Sequence, residues 1–252
     1  MYTPESEEEK AFLQSYDPGK YPRPSVTADI VVFTLNDSNK LCILLIRRGG
    51  FPYKGHWAIP GGFMEIDESI DQAAARELEE ETSLKGLPIS QFGTFGAVDR
   101  DPRTRVLSVA YMAFVPRKKL LIRAGDDAAS ADLFELKDTE DGMAFVSDRS
   151  IITERDLAFD HALVIRTARE RLRNRIEYTD DAFSLVSDPS CFALSEMQKI
   201  YEAVLDRKLD TANFRRDFIR KYVNSGKVNA IGREERREGV SGRKPLMYAR
   251  VR

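Results

Sequence analysis

Apolar positions along the chain fall first into strand-like runs and later into helical stripes. Thr27 to Leu35 (TADIVVFTL) is rich in β-branched residues and reads as a strand. Lys40 to Arg47 (KLCILLIR) reads as a second. Turn residues Asn36-Asp37-Ser38-Asn39 separate them, so the pair is expected to form a hairpin. Residues 48–62 make a glycine- and proline-marked loop, with room for a short strand at His56–Ile59. From Ser69 to Ser83 the apolar residues Ile70, Ala73, Ala74 and Leu78 recur at helical spacing, and Ser69 with Gln72 is a capping-box pattern. Phe92–Val98 and Val106–Val115 read as strands, joined by the loop Arg100–Arg105. The acidic stretch 123–142 reads as a loop with one short strand near Leu133. Arg155 to Glu177 reads as a long helix with Ile165, Ala168, Leu172 and Ile176 on one stripe.

The pattern changes near Tyr178–Pro189. Ser195 with Gln198 is a second capping-box pattern, opening a helix to Leu205. Asp210 is placed to cap another, Thr211 to Asn224, ended by Gly226. A two-stranded hairpin follows. Helix, short turn, helix and hairpin is the outline of a winged helix-turn-helix. The chain therefore divides into an N-terminal extension (1–24), an α+β domain (25–177) and a winged-helix-like basic domain (178–252).

Charge sharpens this division. The chain has a net charge of −2, yet residues 207–252 carry 14 Lys/Arg against 5 Asp/Glu. The rest is then acidic by about 11 charges, so the tail suits a polyanion and the body does not. Cys42 and Cys191 stand in no metal spacing, and Cys42 lies in an apolar run that suits a buried hydrophobe. The N-terminus is acidic and shows no apolar signal region, and no apolar run reaches the ~18 residues of a spanning helix. The expected compartment is cytoplasmic, with no membrane partner.

The chemistry concentrates in Gly62 to Leu84, GFMEIDESIDQAAARELEEETSL. Four of the five residues from Glu77 to Glu81 are carboxylates. The i,i+4 pair Glu77/Glu81 destabilises a helix by roughly 0.2–0.5 kcal/mol. The helix dipole also disfavours negative charge at that end. Glu77, Glu80 and Glu81 share one face, which suits Mg²⁺ or Mn²⁺ beside a phosphate, while Arg76 reaches Glu80. Such a face points to hydrolysis of a phosphoanhydride. Taken alone, ELEEE also fits a solvated acidic face.

The full spacing, G-x5-E-x7-R-E-U-x-E-E-x-S-U with U apolar, resembles the Nudix box. Gly62, Glu68, Arg76, Glu77, Leu78, Glu80, Glu81 and Leu84 match it, and Ser83 stands where the pattern has glycine. The resemblance implies an α/β/α sandwich with a mixed sheet. It implies metal ligands at Glu77, Glu80 and Glu81 with the Gly61 carbonyl, supported by Glu68 and Arg76. Arg100-Asp101-Pro102-Arg103 resembles a segment of one ADP-ribose pyrophosphatase branch, which makes Arg100, Arg103 and Arg105 candidate substrate ligands; the alternative is a surface loop with incidental arginines. Aromatics from Phe51 to Trp57 offer surfaces for adenine. Glu135 and Glu140, in the acidic stretch, are candidates for the general base. His56 and His161 make no ligand spacing and read as structural.

In the tail, Asn213, Arg216 and Arg220 share one helix face, while Phe214, Phe218 and Tyr222 share another. Asn213, Arg215, Arg216 and Arg220 are candidates for DNA contact, as are Arg243 and Lys244 on the hairpin. The alternative is a solvated basic tail or a dimerisation domain. The layout resembles Nudix-related regulators of NAD metabolism. Two functions follow. A metal-dependent hydrolase of ADP-ribose, giving AMP and ribose 5-phosphate, ranks first because its residues are the more specific. A DNA-binding regulator that senses ADP-ribose or a relative ranks second. Binding of operator half-sites implies a homodimer.

Overall fold

A computed structural model describes residues 2–82, 85–120, 128–233 and 245–251, and the side chains of 81, 82, 128, 129 and 233 lie outside the description. A short helix, α1 (Glu7–Ser15), precedes the first domain. Ser6 caps it, accepting from Glu9 N–H, and it buries no residue. Then come β1 (Ser25–Leu35), β2 (Leu41–Arg48), β3 (Trp57–Ala58), β4 (Gly61–Phe63), α2 (Ile70–Thr82), β5 (Ile89–Phe95) and β6 (Val106–Phe114). They are followed by β7 (Ala128–Thr139), β8 (Gly142–Val146), β9 (Ile151–Thr153) and α3 (His161–Arg175).

Strand order is β5-β6-β1-β2-β7-β8-β9, with β3 against β2 and β4 against β1. β1 runs parallel to β6 and antiparallel to β2, so the sheet is mixed. The β1–β2 hairpin forms as expected, with Asn36 Oδ1 accepting from the Ser38 and Lys40 amides to fix the turn. Alternation on β1 decides the layers. Ala28, Ile30 and Val32 join Leu44 and the α2 residues Ala73, Ala74 and Leu78 in one core. Val31, Phe33 and Leu35 face the other side, with Val164, Ile165, Ala168 and Leu172 of α3. The result is helix, sheet, helix.

Two expectations need correction. The acidic stretch, whose residues 123–127 lie outside the description, is from residue 128 mostly a long strand. Its residues 132–135 pair with Leu45–Cys42 of β2, placing Glu135 in the sheet, while Glu140 lies in the turn before β8. Acidic side chains on the strand's solvent side masked its alternation. The long helix begins only at His161. Before it, Leu157 bridges to Trp57, Ala158 donates to Trp57 O at 2.7 Å, and Phe159 has φ +52°, none of which a helix permits.

The second part contains α4 (Ala182–Leu185), β10 (Phe192–Ala193), α5 (Leu194–Leu205), α6 (Thr211–Phe218), β11 (Val228–Arg233) and β12 (Leu246–Arg250). A π-helical turn, Ile219–Val223, continues α6. β10-β12-β11 form a three-stranded sheet, one strand more than the expected hairpin. Asp210 caps α6, accepting from Asn213 N–H at 2.8 Å. The Ser195/Gln198 capping box does not form. Ala193, paired with Met247, occupies the cap position, and Gln198 donates instead to Leu209 O and Glu202.

Phe183 lies within ring contact of Phe192, Phe218 and Tyr222 and is fully buried. Phe183→Ala is expected to cost about 3–5 kcal/mol. Urea unfolding followed by circular dichroism measures it.

Candidate functional site

The site is built where α2 lies against β4. Ser69 and Gln72 form the expected capping box: Ser69 N–H donates to Gln72 Oε1 at 2.7 Å, and Gln72 N–H donates to Ser69 Oγ at 3.3 Å. The helix then presents Arg76, Glu77 and Glu80 towards the Gly61-Gly62 strand and the loop after it. Gly61 is held at φ +153°, where a Cβ would lie 2.4 Å from Ala28 O. A Cβ on Gly62 would lie 2.1 Å from Glu77 Oε1. Both glycines are therefore required by close approach.

Arg76 organises the acids. Its Nη2 donates to Glu68 Oε1 at 2.8 Å and to Phe63 O at 3.1 Å, and its Nε donates to Glu68 Oε2 at 3.2 Å. Its Nη1 donates to Glu77 at 2.7 Å and reaches Glu80 at 3.5 Å. Glu68 also accepts from Glu65 N–H at 2.9 Å, closing the loop. These bonds pull the Glu68 pKa down, with the Arg76 hydrogen bond foremost. Glu77 is different: burial raises its pKa, and the opposing bond to Arg76 does not cancel that effect. Asp71, in the first turn, accepts from Tyr111 Oη at 2.5 Å and ties α2 to β6.

Glu81 lies on α2, but its side chain is outside the description, as are Ser83 and Leu84. Among the described residues, no three His, Cys, Asp or Glu side chains gather as a metal-ligand group. The donors that are described, Glu77 and Glu80, are hard oxygens, and Glu77 lies directly against the Gly62 backbone. That chemistry fits Mg²⁺ or Mn²⁺.

The loop 100–105 lies on the neighbouring edge, and its arginines separate. Arg100 is buried, bonding Asp160 bidentately at 2.7 and 3.1 Å and approaching Asp29 at 3.5 Å. Burial opposes its charge, yet Asp160 and Asp29 outweigh it and raise its pKa. Arg103 is exposed, held by Asp101 at 2.8 and 3.0 Å, with its guanidinium 5.2 Å from the Phe63 ring centre and 5.9 Å from Phe159. Arg105 donates to Ala97 O at 2.8 Å. Of the aromatics, Tyr53 packs on Phe159 at 4.8 Å, Trp57 packs edge-on to Phe134, and Phe51 is exposed. His161 is buried, and its Nδ1 accepts from Ile59 N–H at 3.2 Å, while burial lowers its pKa. Sequence reasoning missed Asp29, Asp160 and Phe159. Asp29 alone left a signal, as an acid inside the β-branched run TADIVV.

In the second part, Asn213, Arg215, Arg216 and Arg220 are exposed, while Phe218 and Tyr222 are buried and Phe214 is half-buried. Asp217 lies 3.6 Å from Arg216 and 3.1 Å from Arg220. Arg243 and Lys244 lie outside the described residues.

Fold and site together define a Nudix-type domain joined to a winged helix. The NUDIX domain model matches residues 25–154, and the NrtR DNA-binding winged helix domain model matches residues 188–249. The chain belongs to the Nudix family, and over both parts it is homologous to the NtrR/NrtR repressors. It is 32% identical to the ADPR responsive transcriptional repressor NtrR of Acinetobacter baylyi, across 96% of this chain and 88% of that protein. It is 36% identical to the ADP-ribose pyrophosphatase of Methanocaldococcus jannaschii, across 58% of this chain and 73% of that one. The structure of Shewanella oneidensis NrtR complexed with a 27mer DNA matches with a TM-score of 0.69 at 29% identity, covering 90% of this chain and 93% of that one. Among the described residues, no helix is long and apolar enough to cross a membrane.

Glu77 supplies a test of the site's electrostatics. Its raised pKa means that the folded chain binds a proton more tightly than the unfolded chain does. Ionised Glu77 therefore lowers stability above its folded pKa, and the cost disappears as pH falls below the unfolded value, about 4.3. In chelator, Glu77→Gln is expected to raise the melting temperature at pH 7.5 and to leave it unchanged near pH 4. Calorimetry at the two pH values checks this.

Proposed function

We propose that this protein is a DNA-binding transcriptional repressor whose Nudix domain binds ADP-ribose. The observation that carries this reading is the two-part alignment with a repressor over nearly the whole chain. The match to the pyrophosphatase covers only 58% of it. The order of the two sequence-based readings is thus reversed. The exposed Asn213, Arg215, Arg216 and Arg220 would contact DNA, with Phe218 and Tyr222 anchoring their helix to the core. A two-fold dimer would place two such helices on successive half-sites. Arg103, stacked between aromatic rings and exposed, would meet the ligand's phosphates, and Arg100 would hold the loop from beneath.

A second reading has its own support. The acidic face is kept, with Arg76 and Glu68 bracing it. Glu77, Glu80 and Glu81 with the Gly61 carbonyl would hold Mg²⁺ or Mn²⁺. When bound, the ion would polarise a phosphoryl oxygen and activate water. Binding and slow cleavage of ADP-ribose are compatible in one domain.

Fluorescence anisotropy on the DNA upstream of the protein's own gene tests the first reading. Specific binding is expected to weaken by about 1–3 kcal/mol per lost contact in Arg216→Ala and Arg220→Ala, and ADP-ribose is expected to change the wild-type affinity. Only weak, site-independent binding would refute it. For the second reading, ADP-ribose incubated with Mg²⁺ should yield AMP and ribose 5-phosphate, with turnover lost in Glu80→Gln and Glu81→Gln. Arg76→Ala should cost roughly 10–100-fold. Equal turnover in all of these proteins would rule hydrolysis at this face out.

A further inference from the structure

A cleft of about 600 Å³ opens between the two parts of the molecule. The β1–β2 turn, β7 and α3 line it on one side, and α5 with the turn after it on the other. None of the acidic-helix residues borders it. Its volume suits a small metabolite.

The charges in the cleft show what it would hold. Each of its carboxylates already has a cationic partner. Asp138 is held bidentately by Arg169 at 2.5 and 2.8 Å, and Arg173 approaches at 3.7 Å. Asp206, left-handed at the end of α5, lies 3.4 Å from Arg173 and 3.8 Å from Arg169. Glu202 is bonded by Lys208 at 2.9 Å and by Leu209 N–H at 3.1 Å, which bring its pKa down to about 2. Glu135 lies 3.6 Å from Lys137 and accepts from Asn36 at 3.4 Å.

Two of the cleft's cations are not matched in return. Among the described residues, neither Lys40 nor Lys199 has an acidic partner. The unanswered charge in the cleft is therefore positive and comes from both sides: Lys40 follows the β1–β2 turn, and Lys199 projects from α5. A phosphoryl oxyanion would answer that charge with charge-assisted hydrogen bonds.

We propose that this cleft is a second anion site, which takes the phosphoryl group of a small metabolite between Lys40 and Lys199. A bound anion there touches both domains at once and fixes their relative orientation.

Titration calorimetry of the full chain tests it, in chelator and at constant ionic strength, with inorganic phosphate, pyrophosphate and AMP in parallel. One of the three is expected to bind, and which one it is separates a free phosphate from a nucleotide as the source. Affinity is expected to fall at least tenfold in Lys40→Ala/Lys199→Ala, whose exposed side chains carry no packing, and to persist in Glu80→Gln. No binding by any of the three would overturn the proposal. So would binding unchanged in the double lysine variant, or binding lost in Glu80→Gln.

Discussion

One guanidinium holds the first domain's chemistry in place. Arg76 must answer Glu68, Glu77 and Glu80 together and also bond the Phe63 carbonyl. Without it, like charges would face each other near the end of a helix whose dipole already disfavours them. With it, the loop after β4 is tied to α2, and the carboxylate of Glu77 is pressed onto Gly62. The spacing of the sequence pattern then has a mechanical meaning. Gly62 is glycine because Glu77 fills the place of its side chain. Glu68 stands eight residues before Arg76 because the loop must fold back to meet it. Burial in this arrangement raises the Glu77 pKa.

A second buried network sits beneath the first. Asp29 lies on β1 opposite Gly61, and it accepts a hydrogen bond from Ser108 and approaches Arg100. Arg100 passes the charge on to Asp160, the residue before α3. Next to it, His161 accepts the Ile59 amide, which requires a neutral Nδ1, and burial favours that form. The loop bearing Arg103, the strand bearing Gly61 and the start of α3 are thus linked by polar contacts inside the protein. Arg100 and Arg103 differ by three residues, yet one supports the loop and the other faces outward.

Local signals carried most of the fold. The β1–β2 turn, the Ser69 capping box and the Asp210 cap were legible because each depends on residues within four positions. The errors arose where distant partners decide the structure. β7 is a strand because β2 lies beside it, despite its acidic side chains. The start of α3 is delayed because Trp57, a hundred residues earlier, takes the Ala158 amide. Gln198 has the right spacing to cap, but Leu209 and Glu202 draw it away. For the site, spacing marked out Arg76 and its acids as a helix face. It did not reveal Asp29 or Asp160, whose roles exist only once the sheet and α3 meet.

The way the two parts join limits how either can influence the other. One apolar core runs from Phe33 and Ile43 in the sheet through Leu172 of α3 and Ile176 just after it to Phe183, Val204 and Tyr248. A free hinge would expose those side chains, and each large one costs about 1.5–3 kcal/mol to return to water. Motion between the parts must therefore be a small shift between two packed arrangements rather than an opening. The contacts that can change at least cost are the partly exposed ones at the rim, where Arg173 meets Asp138 and Asp206. α3 carries Arg173 near one end and meets the Arg100–Asp160 pair at the other. A displacement of the loop that bears Arg103 has its shortest covalent and polar route to the winged helix along this one helix.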